Sequence, residues 1–343
     1  MTQKKRKPLL WISLLWMAGL LALSGCAHMA PQTQVASETE ILLNHFETQG
    51  DYFHDGPSFV MTAQTLRTNM LTKPRQQYLI DIRSPEAFDR GHIQGSVLVE
   101  FKDLRTHLKG IDAASYENIV LVCFAGQASA YAVSLLRAVG YDNTVSLKWG
   151  ISSWAHVFAE ESWLRNISSA RADEFVSTPS PPKNPPGPLP TITTGKTTPE
   201  DILDARVNQL FQEGFGPVML GQCCLFNEFY INGGFYTINY WTPELFKNPG
   251  HIPGAVNYPP GEKPFKRSTY LATLSTSVPN VLYCFTGQTS AYVAGYLRIL
   301  GYDARSLLFG ANSMIYDKMK ANKVPNTFIP ETEIMNYDYV RGS

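Results

Sequence analysis

An internal repeat of about 160 residues is the feature that most constrains how this chain can fold. The segment Cys123 to Asp142 is identical to the segment Cys284 to Asp303 at twelve of twenty positions. Upstream, Gly91-His92-Ile93-Gln94-Gly95 is matched by Gly250-His251-Ile252-Pro253-Gly254. A repeat of this length is a duplicated domain rather than a solenoid of short units. The 343 residues give room for two ordinary domains.

Each half alternates short apolar runs with helical segments. The predicted strands of the first half are Tyr78 to Ile82, Val97 to Val99, Ile119 to Val122 and Thr144 to Leu147, and a helix is predicted from Tyr131 to Val139. The second half repeats this plan with Val281 to Tyr283, Tyr292 to Leu300 and Ser306 to Leu308. Such alternation favours an α/β fold in which each half is a parallel sheet with helices on both faces.

The N-terminus has the pattern of an export signal. Basic residues 4–7 precede an uncharged run of 15 residues, Leu9 to Leu23, which is shorter than the roughly 20 residues that span a bilayer. The run ends in Leu23-Ser24-Gly25-Cys26, which resembles the lipobox of bacterial lipoproteins. The resemblance implies that Cys26 is acylated and anchors the chain to a membrane of the cell envelope. With Ala27 next, we expect the outer membrane, facing the periplasm or the cell surface; the alternative is an uncleaved anchor helix.

Composition shifts divide the rest of the chain. We predict a signal peptide over 1–25, a spacer over 26–58, a first domain over 59–176, a proline-rich linker over 177–196 and a second domain over 197–343. The linker has the composition of a semi-rigid extended spacer, so the two domains are expected to fold separately. The formal net charge is zero, and no basic face indicates a nucleic-acid partner.

Two loops carry the residues from which chemistry is expected. Cys123 and Cys284 each follow an apolar strand and precede a helix, so each thiol lies at the carboxyl end of a parallel strand. Backbone N–H groups and the positive end of the helix should favour the thiolate, the nucleophilic form of cysteine. The six-residue loops run from Cys123 to Ala128 and from Cys284 to Thr289.

With Asp81-Ile82-Arg83-Ser84-Pro85 and the glycine-histidine turn, these loops resemble rhodanese domains, over Thr62 to Phe158 and Ile202 to Lys320. The resemblance implies that sulfane sulfur passes through a persulfide on Cys123 or Cys284, from a small donor to an acceptor thiol. Envelope redox proteins are candidate partners, and no cofactor is expected. The implied substrate loops comprise Phe124, Ala125, Gly126, Gln127, Ala128 and Ser129, and Phe285, Thr286, Gly287, Gln288, Thr289 and Ser290.

The halves depart from the family pattern in different ways. Neither loop contains the basic residues that bind thiosulfate in this family, which disfavours thiosulfate as the donor. Asp81 and Arg83 are interpreted as a structural ion pair beside the first loop. In the second half Asn239-Tyr240 stand near the position of Ile82-Arg83, so the Asp-x-Arg pattern is missing. Lys148 is interpreted either as a positive charge near Cys123 or as a solvated side chain.

Cys223 and Cys224 are adjacent, in a segment without a counterpart in the first half. Burial as small apolar side chains is the default interpretation. The alternatives are a redox pair joined by a strained vicinal disulfide and a resolving thiol for Cys284. No metal site is predicted, because two adjacent cysteines without further ligands at suitable spacing rarely suffice.

Three functions remain in contention. The first is a membrane-anchored sulfurtransferase, with both loop thiols reactive and Cys284 modestly favoured because Thr289 offers a hydroxyl where the first loop has Ala128. The second is a non-catalytic binding module in an envelope complex. The third is thiol chemistry on chalcogen oxyanions such as selenite.

Overall fold

The computed structural model describes residues 36–53, 58–226 and 234–342. The predicted signal peptide and Cys26 lie outside the described residues, so its acylation stays a prediction. Among the helices of the described segments, none is both long enough and apolar enough to cross a membrane.

Two five-stranded parallel sheets, one in each repeat, form the framework of the fold. The first sheet has the order β1-β5-β4-β2-β3 and the second has the equivalent order β6-β10-β9-β7-β8. The strands are β1 Val60–Met61, β2 Gln77–Asp81, β3 Val97–Leu98, β4 Asn118–Val122, β5 Thr144–Leu147, β6 Met219–Leu220, β7 Tyr236–Asn239, β8 Val256–Asn257, β9 Asn280–Tyr283 and β10 Ala304–Leu307.

Helices connect these strands. They are α1 Glu38–Thr48, α2 Ala63–Thr72, α3 Pro85–Arg90, α4 Leu104–Lys109, α5 Gln127–Ala138, α6 His156–Glu160, α7 Trp163–Asn166, α8 Pro199–Glu213, α9 Pro243–Lys247, α10 Gln288–Ile299, α11 Tyr316–Ala321 and α12 Pro330–Glu333. Short 3₁₀ turns lie at Pro74–Gln76, Phe101–Asp103, Ala113–Ser115, Gly150–Ser153, Ala172–Glu174, Pro260–Glu262, Leu271–Thr273 and Gly310–Ser313.

The central strand β4 shows why both faces of each sheet are covered. Its side chains alternate between two cores, because successive residues of a strand point to opposite faces. Ile119 and Leu121 pack into the core that contains α4 and α5, whereas Val120 and Val122 pack into the core that contains α2 and α6. The predicted α/β class, with two tandem parallel sheets, is confirmed.

The two repeats share one hydrophobic core. Helices α5 and α10 pack against each other, and the largest buried cluster contains residues of both repeats. The contact is close: a Cβ added to Gly295 would lie 2.6 Å from the Cβ of Ser134, the equivalent residue of the first repeat. Separate folding of the halves is therefore at odds with the structure, because each half alone would expose this face to water.

The C-terminal segment of each repeat also pairs with a turn of the other repeat. Val176 forms an antiparallel bridge with His251 of the second repeat, and Val340 forms the equivalent bridge with His92 of the first. In both turns the imidazole Nδ1 lies 3.0 Å from a carbonyl oxygen, that of Phe88 for His92 and that of Phe246 for His251. The exchange adds backbone hydrogen bonds between the repeats to the shared core.

The proline-rich segment lies on the second repeat as an extended strap. Gly187 N donates to Ala272 O at 2.7 Å, and Lys183 Nζ lies 4.0 Å from the ring centroid of Tyr270. Part of the predicted spacer is also ordered, since α1 buries Leu42 and Leu43 completely. This helix lies within residues 26–58, for which the sequence predicted only a spacer.

Candidate active site

Both loop cysteines lie at the carboxyl ends of central strands. Cys123 follows β4 and Cys284 follows β9, and both residues are buried. The helices α5 and α10 begin directly after the loop glycines, at Gln127 and Gln288. Their N-cap residues Gly126 and Gly287 have φ of 88° and 78°, a conformation that favours glycine. The glycine thus lets the chain turn around the sulfur and present N–H groups to it.

The Cys123 sulfur is held by backbone and hydroxyl groups. Gly126 N donates to Cys123 Sγ at 3.1 Å, and Ser129 N does so at 3.5 Å. The Ser129 hydroxyl lies 3.3 Å from the sulfur and 2.8 Å from Ser146 Oγ. N–H groups aimed at a sulfur stabilise negative charge on it, which is what a thiolate or a persulfide anion requires.

The Cys284 sulfur has a similar but looser set of partners. Gly287 N donates to Cys284 Sγ at 3.2 Å. Two hydroxyl oxygens lie farther off, Ser290 Oγ at 3.6 Å and Thr286 Oγ1 at 3.8 Å. Thr289, in which the sequence analysis placed a stabilising hydroxyl, lines the cleft beside Cys284.

A second glycine supports each loop from below. A Cβ on Gly150 would lie 2.4 Å from Cys123 O, and one on Gly310 would lie 2.3 Å from Cys284 O. The residue after each glycine donates a hydrogen bond to the same carbonyl oxygen: Ile151 N donates to Cys123 O at 2.8 Å, and Ala311 N donates to Cys284 O at 3.0 Å. Neither glycine was among the predicted site residues, although both follow an aromatic residue just after equivalent strands.

Two glutamine side chains connect the loops across the repeats. Gln288 Nε2 lies 3.2 Å from Gly126 O, and Gln288 Oε1 accepts from Trp149 N at 2.9 Å. In return, Gln127 Nε2 donates to Thr286 O at 3.1 Å. From the sequence, each glutamine was predicted to act only in its own loop, because a contact between repeats depends on the packing of α5 against α10.

Asp81 and Arg83 form a buried ion pair beside the first loop. Arg83 Nη2 lies 2.7 Å from Asp81 Oδ2 and also donates to Gly91 O at 2.7 Å. The guanidinium carbon lies 5.6 Å from the ring centroid of Phe124, the loop residue that is 40% exposed. The pair thus ties the loop to the turn that contains His92.

The register of the second sheet corrects the position expected for Asn239. Asp81 pairs with Val122, the residue before Cys123, and Asn239 pairs with Tyr283, the residue before Cys284. Asn239 therefore matches Asp81 rather than Ile82. The sequence alignment was off by one residue because the two repeats differ in length before this strand. Trp241 then matches Arg83, and its ring stacks on Phe285 with centroids 4.6 Å apart.

Lys148 points to the C-terminal segment. Its Nζ lies 3.4 Å from Glu333 Oε1, and Trp149 Nε1 donates to the other carboxylate oxygen at 2.6 Å. The charge of Lys148 is therefore balanced by Glu333. The sequence analysis did not anticipate Glu333, which lies 185 residues away along the chain.

A cleft of about 300 Å³ opens over Cys284. Its lining consists of Phe53, Phe59, Tyr240, Pro260, Cys284, Phe285, Thr286, Thr289, Tyr292, Val293 and Asn326. Phe53 and Phe59 belong to the segment that leads into the first repeat, so they cover the cysteine of the other repeat. Only the tertiary structure places them there.

Cys223 and Cys224 are exposed, which corrects the default expectation of burial. They lie on a short helical turn over residues 222–226, with Sγ atoms 3.7 Å apart. The adjacent Leu225 is fully buried, so this turn points Leu225 rather than the two thiols into the core. In the described part of the chain, no group of three or more His, Cys, Asp or Glu residues is arranged to hold a metal ion.

The chain belongs to the rhodanese-like domain family. The family model of the rhodanese-like domain matches residues 62–156 and 194–314, which together make up more than half of the chain. Both cysteine loops lie within the matched segments.

Curated relatives cover one repeat at a time. Thiosulfate sulfurtransferase GlpE of Shewanella oneidensis is 32% identical over 84 residues, 24% of this chain and 81% of that protein. GlpE of Pseudoalteromonas translucida is 26% identical over 102 residues, 30% of this chain and 92% of that protein. Adenylyltransferase and sulfurtransferase uba4 of Ogataea parapolymorpha is 27% identical over 92 residues, 27% of this chain but only 23% of that protein.

Similar solved structures also cover one repeat. The rhodanese-like domain protein of Staphylococcus aureus is 25% identical and covers 27% of this chain and 86% of its own, with a TM-score of 0.24. The rhodanese-related protein of Thermoplasma volcanium is 26% identical and covers 30% of this chain and 91% of its own, with a TM-score of 0.25.

Proposed function

We propose that this protein is a sulfurtransferase that carries sulfane sulfur as a persulfide on its loop cysteines. The observation that supports this most is that each buried loop sulfur accepts a hydrogen bond from a backbone N–H, at 3.1 Å for Cys123 and 3.2 Å for Cys284. Such donors stabilise the thiolate before transfer and the persulfide anion after it.

The transfer has two steps. In the first, the cysteine thiolate attacks the outer sulfur of the donor, a new S–S bond forms, and the rest of the donor leaves with the electron pair of the broken bond. In the second, an acceptor thiolate attacks the outer sulfur of the persulfide, and the cysteine thiolate leaves. Neither step needs a metal or an external oxidant, because one S–S bond replaces another bond to sulfur in each.

Mass spectrometry of the loop peptides tests this proposal. In a background with Cys223→Ser and Cys224→Ser, which removes the exposed thiols, incubation with a sulfane donor should add one sulfur to the Cys123 or Cys284 peptide. Cyanide should then remove that sulfur as thiocyanate. Cys123→Ser and Cys284→Ser are the matched controls. If neither peptide gains sulfur from any donor while the protein still binds a partner, the binding-module interpretation replaces the enzyme.

We further propose that acylated Cys26 anchors this activity in the cell envelope. The support is the sequence Leu23-Ser24-Gly25-Cys26 after a short apolar run. Cys26→Ser should abolish the acyl mass on the N-terminal peptide and release the protein from the membrane fraction. A variant that stays processed and acylated would overturn this assignment.

A further inference from the structure

The cleft over Cys284 has uncharged walls. Five aromatic rings contribute to its lining, those of Phe53, Phe59, Tyr240, Phe285 and Tyr292. Burial raises the pKa of Tyr240 and that of Tyr292, so both phenols are neutral at physiological pH. None of the described residues that line the cleft is a Lys, Arg, His, Asp or Glu.

The charged groups that act on the cleft tyrosines, Asp51 on Tyr240 and Arg137 on Tyr292, already have other partners. Lys263 Nζ lies 3.2 Å from Asp51 Oδ2 and Lys266 Nζ lies 3.5 Å from the same oxygen. The guanidinium of Arg137 donates to Thr144 O at 2.8 Å and to Ser58 O at 3.0 Å. A dianion such as thiosulfate that entered the cleft would lose its hydration without gaining a counter-charge from the walls, and this loss costs free energy.

An apolar organic group would instead gain from leaving water. The cleft of about 300 Å³ is large enough for a group the size of an aromatic ring. Phe59 stacks on Tyr292 with ring centroids 4.2 Å apart, which gives such a group a flat, preformed wall. Phe53 meets the same tyrosine edge-on, with centroids 6.2 Å apart.

We propose that Cys284 takes its sulfur from a donor with an apolar organic body, of the thiosulfonate type R–SO₂–S⁻, in preference to inorganic thiosulfate. This inference rests on the proposed function. The Cys284 thiolate attacks the terminal sulfur of the donor and forms the S–S bond of the persulfide. The bond between that sulfur and the SO₂ group breaks, and the sulfinate R–SO₂⁻ leaves with the electron pair. Phe59, from the other repeat, is the residue that sets this preference.

Two donors of equal charge test the role of the apolar body. Full-length protein with Cys123→Ser, Cys223→Ser and Cys224→Ser is incubated with benzenethiosulfonate, methanethiosulfonate or thiosulfate. The initial rate of sulfur addition to the Cys284 peptide is measured by mass spectrometry. The rate with benzenethiosulfonate is divided by the rate with methanethiosulfonate, and this ratio is normalised by the same ratio for free cysteine in solution. The normalised ratio should be at least about 10. Thiosulfate should be the slowest donor.

The variants Phe59→Ala and Phe53→Ala show whether the aromatic wall is responsible. Each should lower the normalised ratio toward that of free cysteine, and Phe59→Leu should keep part of it because leucine retains apolar surface. Equal ratios in all variants, or a faster rate with thiosulfate, would overturn the inference while leaving the sulfurtransferase proposal in place. Failure of every donor to load Cys284 would overturn the inference. The sulfurtransferase proposal would fall only if Cys123, tested in the protein that retains it, also gained no sulfur.

Discussion

Cys123 and Cys284 lie in loops with the same backbone, but the first loop rests against a buried ion pair and the second against stacked aromatic rings. Arg83 lies over Phe124 in the first repeat, and Trp241 stacks on Phe285 at the equivalent place in the second. The N–H donor three residues after the cysteine is the same in both. The loop motif therefore specifies the cradle for sulfur, whereas the neighbouring side chains specify how the cradle is supported and what approaches it.

The largest expected difference between the repeats concerns the ion pair. Asp81→Asn leaves Arg83 buried without a counter-charge and should lower the free energy of unfolding by about 3–5 kcal/mol. Asn239→Ala, at the equivalent position of the second repeat, removes hydrogen bonds between uncharged groups, with Asn257 and with Tyr283, and should cost about 1–2 kcal/mol. Urea unfolding followed by circular dichroism measures both. Equal costs would show that the two repeats do not differ in this support.

Gly310→Ala and Gly150→Ala test the support beneath each loop. The added Cβ would lie within 2.3 Å of Cys284 O in the first case and 2.4 Å of Cys123 O in the second. Backbone strain and overpacking together should cost roughly 2–4 kcal/mol. Each variant should slow alkylation mainly at its own cysteine, as measured on the loop peptides. A variant that slowed both thiols equally would indicate that the loops move as one unit.

The glutamines that cross between repeats should have unequal effects. Gln288→Ala removes side-chain hydrogen bonds to Trp149 N and Gly126 O, and we expect a loss of about 2 kcal/mol and altered alkylation of Cys123. Gln127→Ala removes a bond to Thr286 O and should cost about 1 kcal/mol, with its effect at Cys284. The pH profile of alkylation identifies which thiol responds. If each variant affected only the cysteine of its own loop, the hydrogen bonds between the repeats would have no effect on the reactivity of the thiols.

The smallest effect concerns His251 and pH. Burial lowers the pKa of His251 below its ordinary value of 6.5, despite the opposing hydrogen bond to Phe246 O. Below pH 6.5 the unfolded chain therefore takes up a proton that the folded chain does not, and stability falls until the folded-state pKa is passed. Well above pH 6.5 His251 is neutral in both the folded and the unfolded chain, so it does not change the free energy of unfolding with pH. Urea unfolding at pH 7.5 and at pH 5.5 should show a smaller decrease for His251→Gln than for the unsubstituted protein; an unchanged decrease would contradict this assignment.

Much of the fold follows from local pattern. The apolar runs before Cys123 and Cys284, the glycine turns into the next helices and the duplicated motif predicted two parallel α/β sheets, because burial on both faces demands such runs. The pairs that the sequence analysis could weigh, such as Asp81 with Arg83, are two residues apart and belong to one turn. Local spacing is sufficient to bring these residues together.

Short-range pattern and a repeated motif are sufficient to predict the family, the two sheets and the position of each loop cysteine. The shared core, the crossing of Gln127 and Gln288, and the placement of Phe53 and Phe59 over Cys284 follow from tertiary packing alone. These contacts join residues more than 150 positions apart, and the close approach at Gly295 allows them. Such contacts depend on how two surfaces fit together, and neither periodicity nor composition encodes that fit.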